Sequence, residues 1–204
     1  MTQSNVEGMT LDPKTIFFCT MFMMLANGCI LGLIRSDLPA SLRPSASSWW
    51  LGTMMLALGT VLFALPGAVD SAWMLTLANG LLMCGPMFYV RALRQFYGLP
   101  TQPALFVPVL LGVVGIYVYL VVWPHVSVRI VIVTLLWWTA SLSAAWVMHR
   151  QKAADASKSR MVLQWIFIFI ALISTLRMFY YLAAGLPVGW RSTDGSSLTN
   201  LLTP

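Results

Sequence analysis

The sequence predicts an all-α fold: an integral membrane bundle of six transmembrane helices with its N-terminus outside. Three observations carry this. Hydrophobic residues make up 59% of the 204 positions and charged residues only 9%, against about 25% charged in soluble domains. Six apolar segments are each long enough to cross a hydrocarbon layer of about 30 Å, which takes about 20 residues. None of the six contains Asp or Glu, residues that cost about 2.5–3.5 kcal/mol or more at mid-membrane.

In chain order, residues 1–14 are expected to form an extracytoplasmic N-terminal segment. It holds Glu7 and Asp12 and no base before Lys14. A cleavable signal starts with a basic stretch, so the first apolar segment is expected to be retained as a span. The six-helix transmembrane domain is expected over 15–185, with spans at 15–34, 48–66, 72–90, 104–123, 128–148 and 161–185. Breakers separate them: Pro39 and Pro44, Pro66-Gly67, Pro100 and Pro103, and Pro124. Proline interrupts a helix because it lacks a donor and crowds the preceding turn. Pro86 and Pro108 are expected inside the third and fourth spans. Residues 186–204 form a polar tail. In it Leu198, Leu201 and Leu202 begin another apolar pattern, read either as the opening of a seventh helix or as a disordered end.

Lys and Arg set the orientation. The first, third and fifth loops carry Arg35, Arg43, Arg91, Arg94, Arg150, Lys152, Lys158 and Arg160, and the other side only Lys14, Arg129 and Arg191. The positive-inside rule places the three basic loops in the cytoplasm. Trp49, Trp50, Trp73, Trp123, Trp146, Trp165 and Trp190 fall near span ends, where indole favours the membrane interface. Trp137 and Trp138 lie deeper, as packing bulk or a pocket wall.

Composition excludes several classes. The net charge of +6 is spread along an apolar chain and forms no stripe for nucleic acid. Phosphate-loop, zinc-protease and nucleophile-elbow motifs are absent, as are paired carboxylates, so no enzyme activity, metal or cofactor is expected. Cys19, Cys29 and Cys84 lie in apolar runs without metal spacing and read as small packing residues. His125 and His149 fall at opposite membrane faces and cannot share a metal. Arg150, Lys152, Lys158 and Arg160 form the densest basic cluster, read as a topology signal that meets anionic lipid or as a docking site.

Arg177 is the most informative residue. An intramembrane Arg implies a partner, and no span offers a carboxylate. It lies about 12 Å inside the outer end of its span, and Asn79 about 10 Å inside its own. Thr134 and Tyr117 come at similar depths, and Tyr180 and Tyr181 share the Arg177 face. These six form the candidate ligand site, for a small anionic or amphipathic molecule held by paired guanidinium donors. The competing reading is an Arg that snorkels or braces carbonyls. Asn27 and Asn79 are expected to bond across helices. Gly28-x-x-x-Gly32 and Ala140-x-x-x-Ala144 permit close helix approach, within the bundle or in a homodimer.

From the second span onward, Trp50-Leu51-Gly52, Leu58-Gly59, Leu65-Pro66-Gly67, Leu77-Ala78-Asn79-Gly80-Leu81-Leu82, Gly85 and Arg91-Ala92-Leu93-Arg94-Gln95-Phe96-Tyr97-Gly98 form a familiar pattern. The opening Leu11-Asp12-Pro13-Lys14-Thr15 is also similar. The chain resembles the N-terminal membrane sensor region of bacterial GGDEF-type diguanylate cyclases, specifically over about 50 residues. The resemblance implies a sensory or anchoring role in a bacterial inner membrane, ahead of a cyclase domain that this sequence does not contain. A small transporter or channel is the alternative.

Overall fold

The computed structural model describes residues 13–65 and 71–184. The expectations that fall on Glu7, Asp12, Pro66-Gly67, Asp70, Trp190, Arg191, Asp194 and the leucines from Leu198 lie outside the described residues. In the described residues six α-helices follow one another: α1 (Pro13–Ile34), α2 (Arg43–Ala64), α3 (Ala72–Phe96), α4 (Val107–Val121), α5 (Val126–Arg150) and α6 (Lys158–Ala184). A 3-10 turn, Pro103–Phe106, leads into α4, and the described residues hold no strand.

Among the described residues, five stretches are long and apolar enough to cross a membrane: Arg43–Ala64, Ala72–Phe96, Pro103–Val121, Val126–Arg150 and Lys158–Ala183. In α1 the apolar stretch Phe18–Ile34 is shorter. Phe22, Leu33, Leu111, Trp165, Leu176 and Phe179 are each more than half exposed. Water tolerates few such patches, whereas lipid tails solvate them. The chain is a multi-pass membrane protein.

Several bounds differ from the sequence expectation for local reasons. α2 starts at Arg43 because Pro44 suits the first helical turn, where a missing N–H costs nothing. α3 runs on to Phe96, so Arg91 and Arg94 sit on its last turns rather than in a loop. It stops at Gly98, whose φ of 65° is the left-handed conformation that lets a helix end without strain. Pro108 lies inside the apolar stretch Pro103–Val121, as expected, at the first turn of α4. Pro86 lies inside α3.

The packing order is an open fan. α2 and α3 make the most extensive contact; α3 also touches α4 and α5, and α5 touches α4 and α6. α1 packs on α2, and α6 on α5. Glycines let α2 and α3 approach closely. A Cβ on Gly52 would meet the Gly85 carbonyl oxygen at 2.8 Å, and one on Gly59 the Ala78 carbonyl oxygen at 3.0 Å. Polar contacts reinforce the pair. Ser48 donates to Gln95 Oε1 (2.6 Å), Ser45 to the Ala92 carbonyl (2.8 Å), and Thr53 Oγ1 lies 3.1 Å from Tyr89 Oη. The main core joins Met83, Met87 and Val90 of α3, Val109 and Ile116 of α4, and Val133, Leu136, Ala140 and Ala144 of α5.

The small-residue motifs serve close approach within the chain, and the cysteine expectation needs correction. Gly28 and Gly32 are covered by Met54 and Trp50 of α2, so that motif is used within the chain. Ala140 and Ala144 are likewise buried in the core. Cys19 and Cys29 are exposed and do not fill the interior; Cys84 alone is partly buried against the core.

Candidate functional site

The loops between α1 and α2, α3 and α4, and α5 and α6 share one end of the fan, here the basic end. Much of its charge is bound by backbone. Arg43 Nε donates to the Leu38 carbonyl (2.9 Å), and Arg94 donates twice to the Pro100 carbonyl (2.9 and 2.7 Å). Arg35 lies over the Trp50 ring, 4.2 Å from its centroid. Arg160 donates to the Asp155 and Met148 carbonyls and to Gln164 Oε1. Of the expected basic cluster, then, Arg160 braces the α5–α6 turn, while Arg150, Lys152 and Lys158 remain exposed. Arg150 lies 4.9 Å over the Trp146 ring.

A second tie joins α3 to this turn. Tyr97 Oη donates to Asp155 Oδ2 (3.0 Å), and the Ser157 N–H donates to Asp155 Oδ1 (3.0 Å). Hydrogen bonds from Ser157 hold the Asp155 carboxyl below its ordinary range, helped by Tyr97 and Arg160. Burial, then the adjoining Asp155 carboxylate, pushes the Tyr97 phenol up to about 12.

At the far end several interior polar groups are unmatched. Among the described residues five buried side-chain atoms lack a hydrogen-bond partner: Arg91 Nε, Arg129 Nε, Thr134 Oγ1, Arg177 Nε and Tyr181 Oη. Four of these belong to the far halves of α5 and α6. At about 1.5 Å per residue, Thr134, Arg177, Arg129 and Tyr181 stand about 24, 28, 32 and 34 Å from the α5–α6 turn. Thr134 is 3% exposed and Tyr181 1%. The Arg177 guanidinium carbon lies 5.8 Å from the Tyr181 ring centroid, near enough for charge and hydroxyl to couple, without hydrogen-bond geometry. Tyr180 meets Tyr181 edge-on at 5.4 Å and is 44% exposed.

The six expected site residues therefore divide. Thr134, Arg177, Tyr180 and Tyr181 belong to the α5–α6 pair. Tyr117 stacks on Trp73 at 5.0 Å, across α4 and α3. Asn79 donates to the Leu75 carbonyl of its own helix (2.8 Å), and Asn27 is exposed, so neither bridges helices as expected. α4 meets α5 through Gly112 against Leu136 and Gly115 against Ile132. At 100° per residue that face is different from the one turned to α6, which carries Ala145 and His149. Arg129 was missed by sequence reasoning, which used it only for topology. Counting residues back from the α5–α6 turn would have put it level with Arg177. It shares the Val133–Leu136 face, on the α4 side.

An orphaned buried donor costs about 1–3 kcal/mol, and more when charged. Oxygen acceptors from an anion would satisfy Arg177 Nε and the Tyr181 hydroxyl together. Among the described residues the acids are Asp37 and Asp155, both at the basic end. No group of three or more His, Cys, Asp or Glu there could hold a metal. Comparison with family models, with curated proteins and with solved structures finds no match.

Proposed function

We propose that this chain is the sensory or anchoring region of a bacterial signalling protein in the inner membrane, and that α5 and α6 take up a small anionic or amphipathic ligand near Arg177. In this reading α1 is a sixth span, the N-terminus is outside, and the basic loops face the cytoplasm. The resemblance to the membrane regions of GGDEF-type diguanylate cyclases supports the class. The carrying observation is the unmatched set Arg177, Tyr181 and Thr134. A carboxylate or phosphate accepts paired guanidinium donors, and binding would favour whichever α5–α6 arrangement holds it better.

The test uses decanoate, an amphipathic carboxylate, and thermal unfolding of the full chain in detergent. At about 100 times its dissociation constant a ligand adds about 2.7 kcal/mol of stability. The wild type should be stabilised and Arg177→Met should not respond. Equal responses remove the site. Decanoate uptake into vesicles carrying the protein would instead favour the small transporter.

A further inference from the structure

A groove opens between α5 and α6 at the basic end. Leu142, Ser143, Ala145, Trp146 and His149 of α5 line it with Gln164 and Ile168 of α6. Its volume is about 590 Å³, within the range of about 300–1,000 Å³ usual for ligand sites. The wall along the spans is apolar, and Leu142 and Trp146 in it are exposed on the surface that meets lipid tails. At the loop end the character changes. His149 stacks on Trp146 at 6.4 Å, and Arg150 lies over the same ring. Lys152 and Lys158 stand exposed on the adjoining turn. Gln164 in the groove wall accepts from Arg160 at 2.9 Å, which brings a fixed guanidinium to the inner rim. The one acid on this turn, Asp155, spends its oxygens on Tyr97 and the Ser157 amide.

We propose that this groove is a binding site for an anionic phospholipid of the leaflet at the basic end. One acyl chain lies against Leu142, Ala145 and Ile168. The phosphate sits at the level of His149, Arg150 and Lys152, with the Trp146 ring between tail and headgroup. The charge pattern selects this occupant. A soluble anion would gain nothing from the apolar wall, and a zwitterionic lipid nothing from the net positive rim. The site is separate from the far-end cluster around Arg177 and does not depend on a sensory role.

The test reconstitutes the full chain in nanodiscs of equimolar phosphatidylglycerol and phosphatidylcholine. Mild detergent then releases it for native mass spectrometry of the retained lipid. The wild type should keep phosphatidylglycerol in preference. Arg150→Gln, Lys152→Gln and Lys158→Gln should each lower that preference by up to about fivefold, the effect of one basic residue at a charged membrane surface. Ser143→Trp, at an exposed lining position, should lower retention of both lipids by filling the groove. Equal retention of the two lipids by the wild type would overturn the proposal. So would a preference lost in the charge variants with lipid retention untouched by Ser143→Trp, since diffuse attraction then suffices. Displacement of the lipid by glycerol phosphate would overturn it as well, by showing that the acyl chain contributes nothing.

Discussion

At the scale of single residues, what a polar group costs depends on whether it has a partner. The Thr53 hydroxyl donates to the Trp49 carbonyl at 3.1 Å, so the Tyr89 hydroxyl supplies the proton of their shared bond. Tyr181 Oη is buried with no bond. Tyr89→Phe should therefore lower stability by about 1 kcal/mol, the net worth of a hydrogen bond. Tyr181→Phe should leave stability unchanged or raise it, by thermal unfolding in detergent without ligand. A loss in both variants would mean that Tyr181 has a partner after all. The sequence singled out Arg177 because an intramembrane cation needs a partner on any helix, though not whether that partner is a ligand or a neighbouring carbonyl. It did not announce the division of the candidate site. Asn79 could bond across helices or back to its own turn, and only packing decides which. Thr60, Thr76 and Thr175 show the same habit, each donating to the carbonyl four residues earlier.

At the scale of elements, the helices were legible because apolar length and breakers leave little choice. Their ends were less so. Arg91 and Arg94 marked a loop by charge, yet a helix can carry cations at its last turn, where the dipole favours them, and α3 continues through both. The α2–α3 seam was written in the glycines, but without a partner assigned to each. Gly52 is the least forgiving case, because a backbone atom stands opposite it: the Gly85 oxygen at 2.8 Å, with the Phe88 Cβ at 3.1 Å, leaves a new methyl nowhere to go. Gly52→Val should cost about 1–3 kcal/mol, as overpacking does. Gly80→Ala meets only the Val113 Cγ2 atom, at 3.2 Å, and should be nearly neutral by the same unfolding measurement.

At the scale of the whole molecule, the open fan leaves α6 with one neighbour for most of its length, α5. What steadies it is the turn at its start. The Tyr97–Asp155 tie there has a defined pH window. The Asp155 carboxyl lies below its ordinary value, so its contribution is present above about 3.8 and is lost as pH falls through the lower folded value. Tyr97 is raised to about 12, so its contribution is full below about 10 and is lost as pH rises through 12. Spin labels at Phe96→Cys and Ala156→Cys, in a chain without its native cysteines, should give a narrow distance distribution from about pH 5 to 9. It should broaden only as pH falls well below about 3.8 or rises through about 12, and Tyr97→Phe should broaden it throughout. An unchanged distribution in Tyr97→Phe would show that the tie does not hold the turn. The bracing of Arg160 by the Asp155 and Met148 carbonyls has a mechanical result. It makes the start of α6 a fulcrum and the rest of the helix a lever. Arg177 rides about 26 Å out on that arm, so a swing of roughly 4° carries it about 2 Å while the fulcrum stays still.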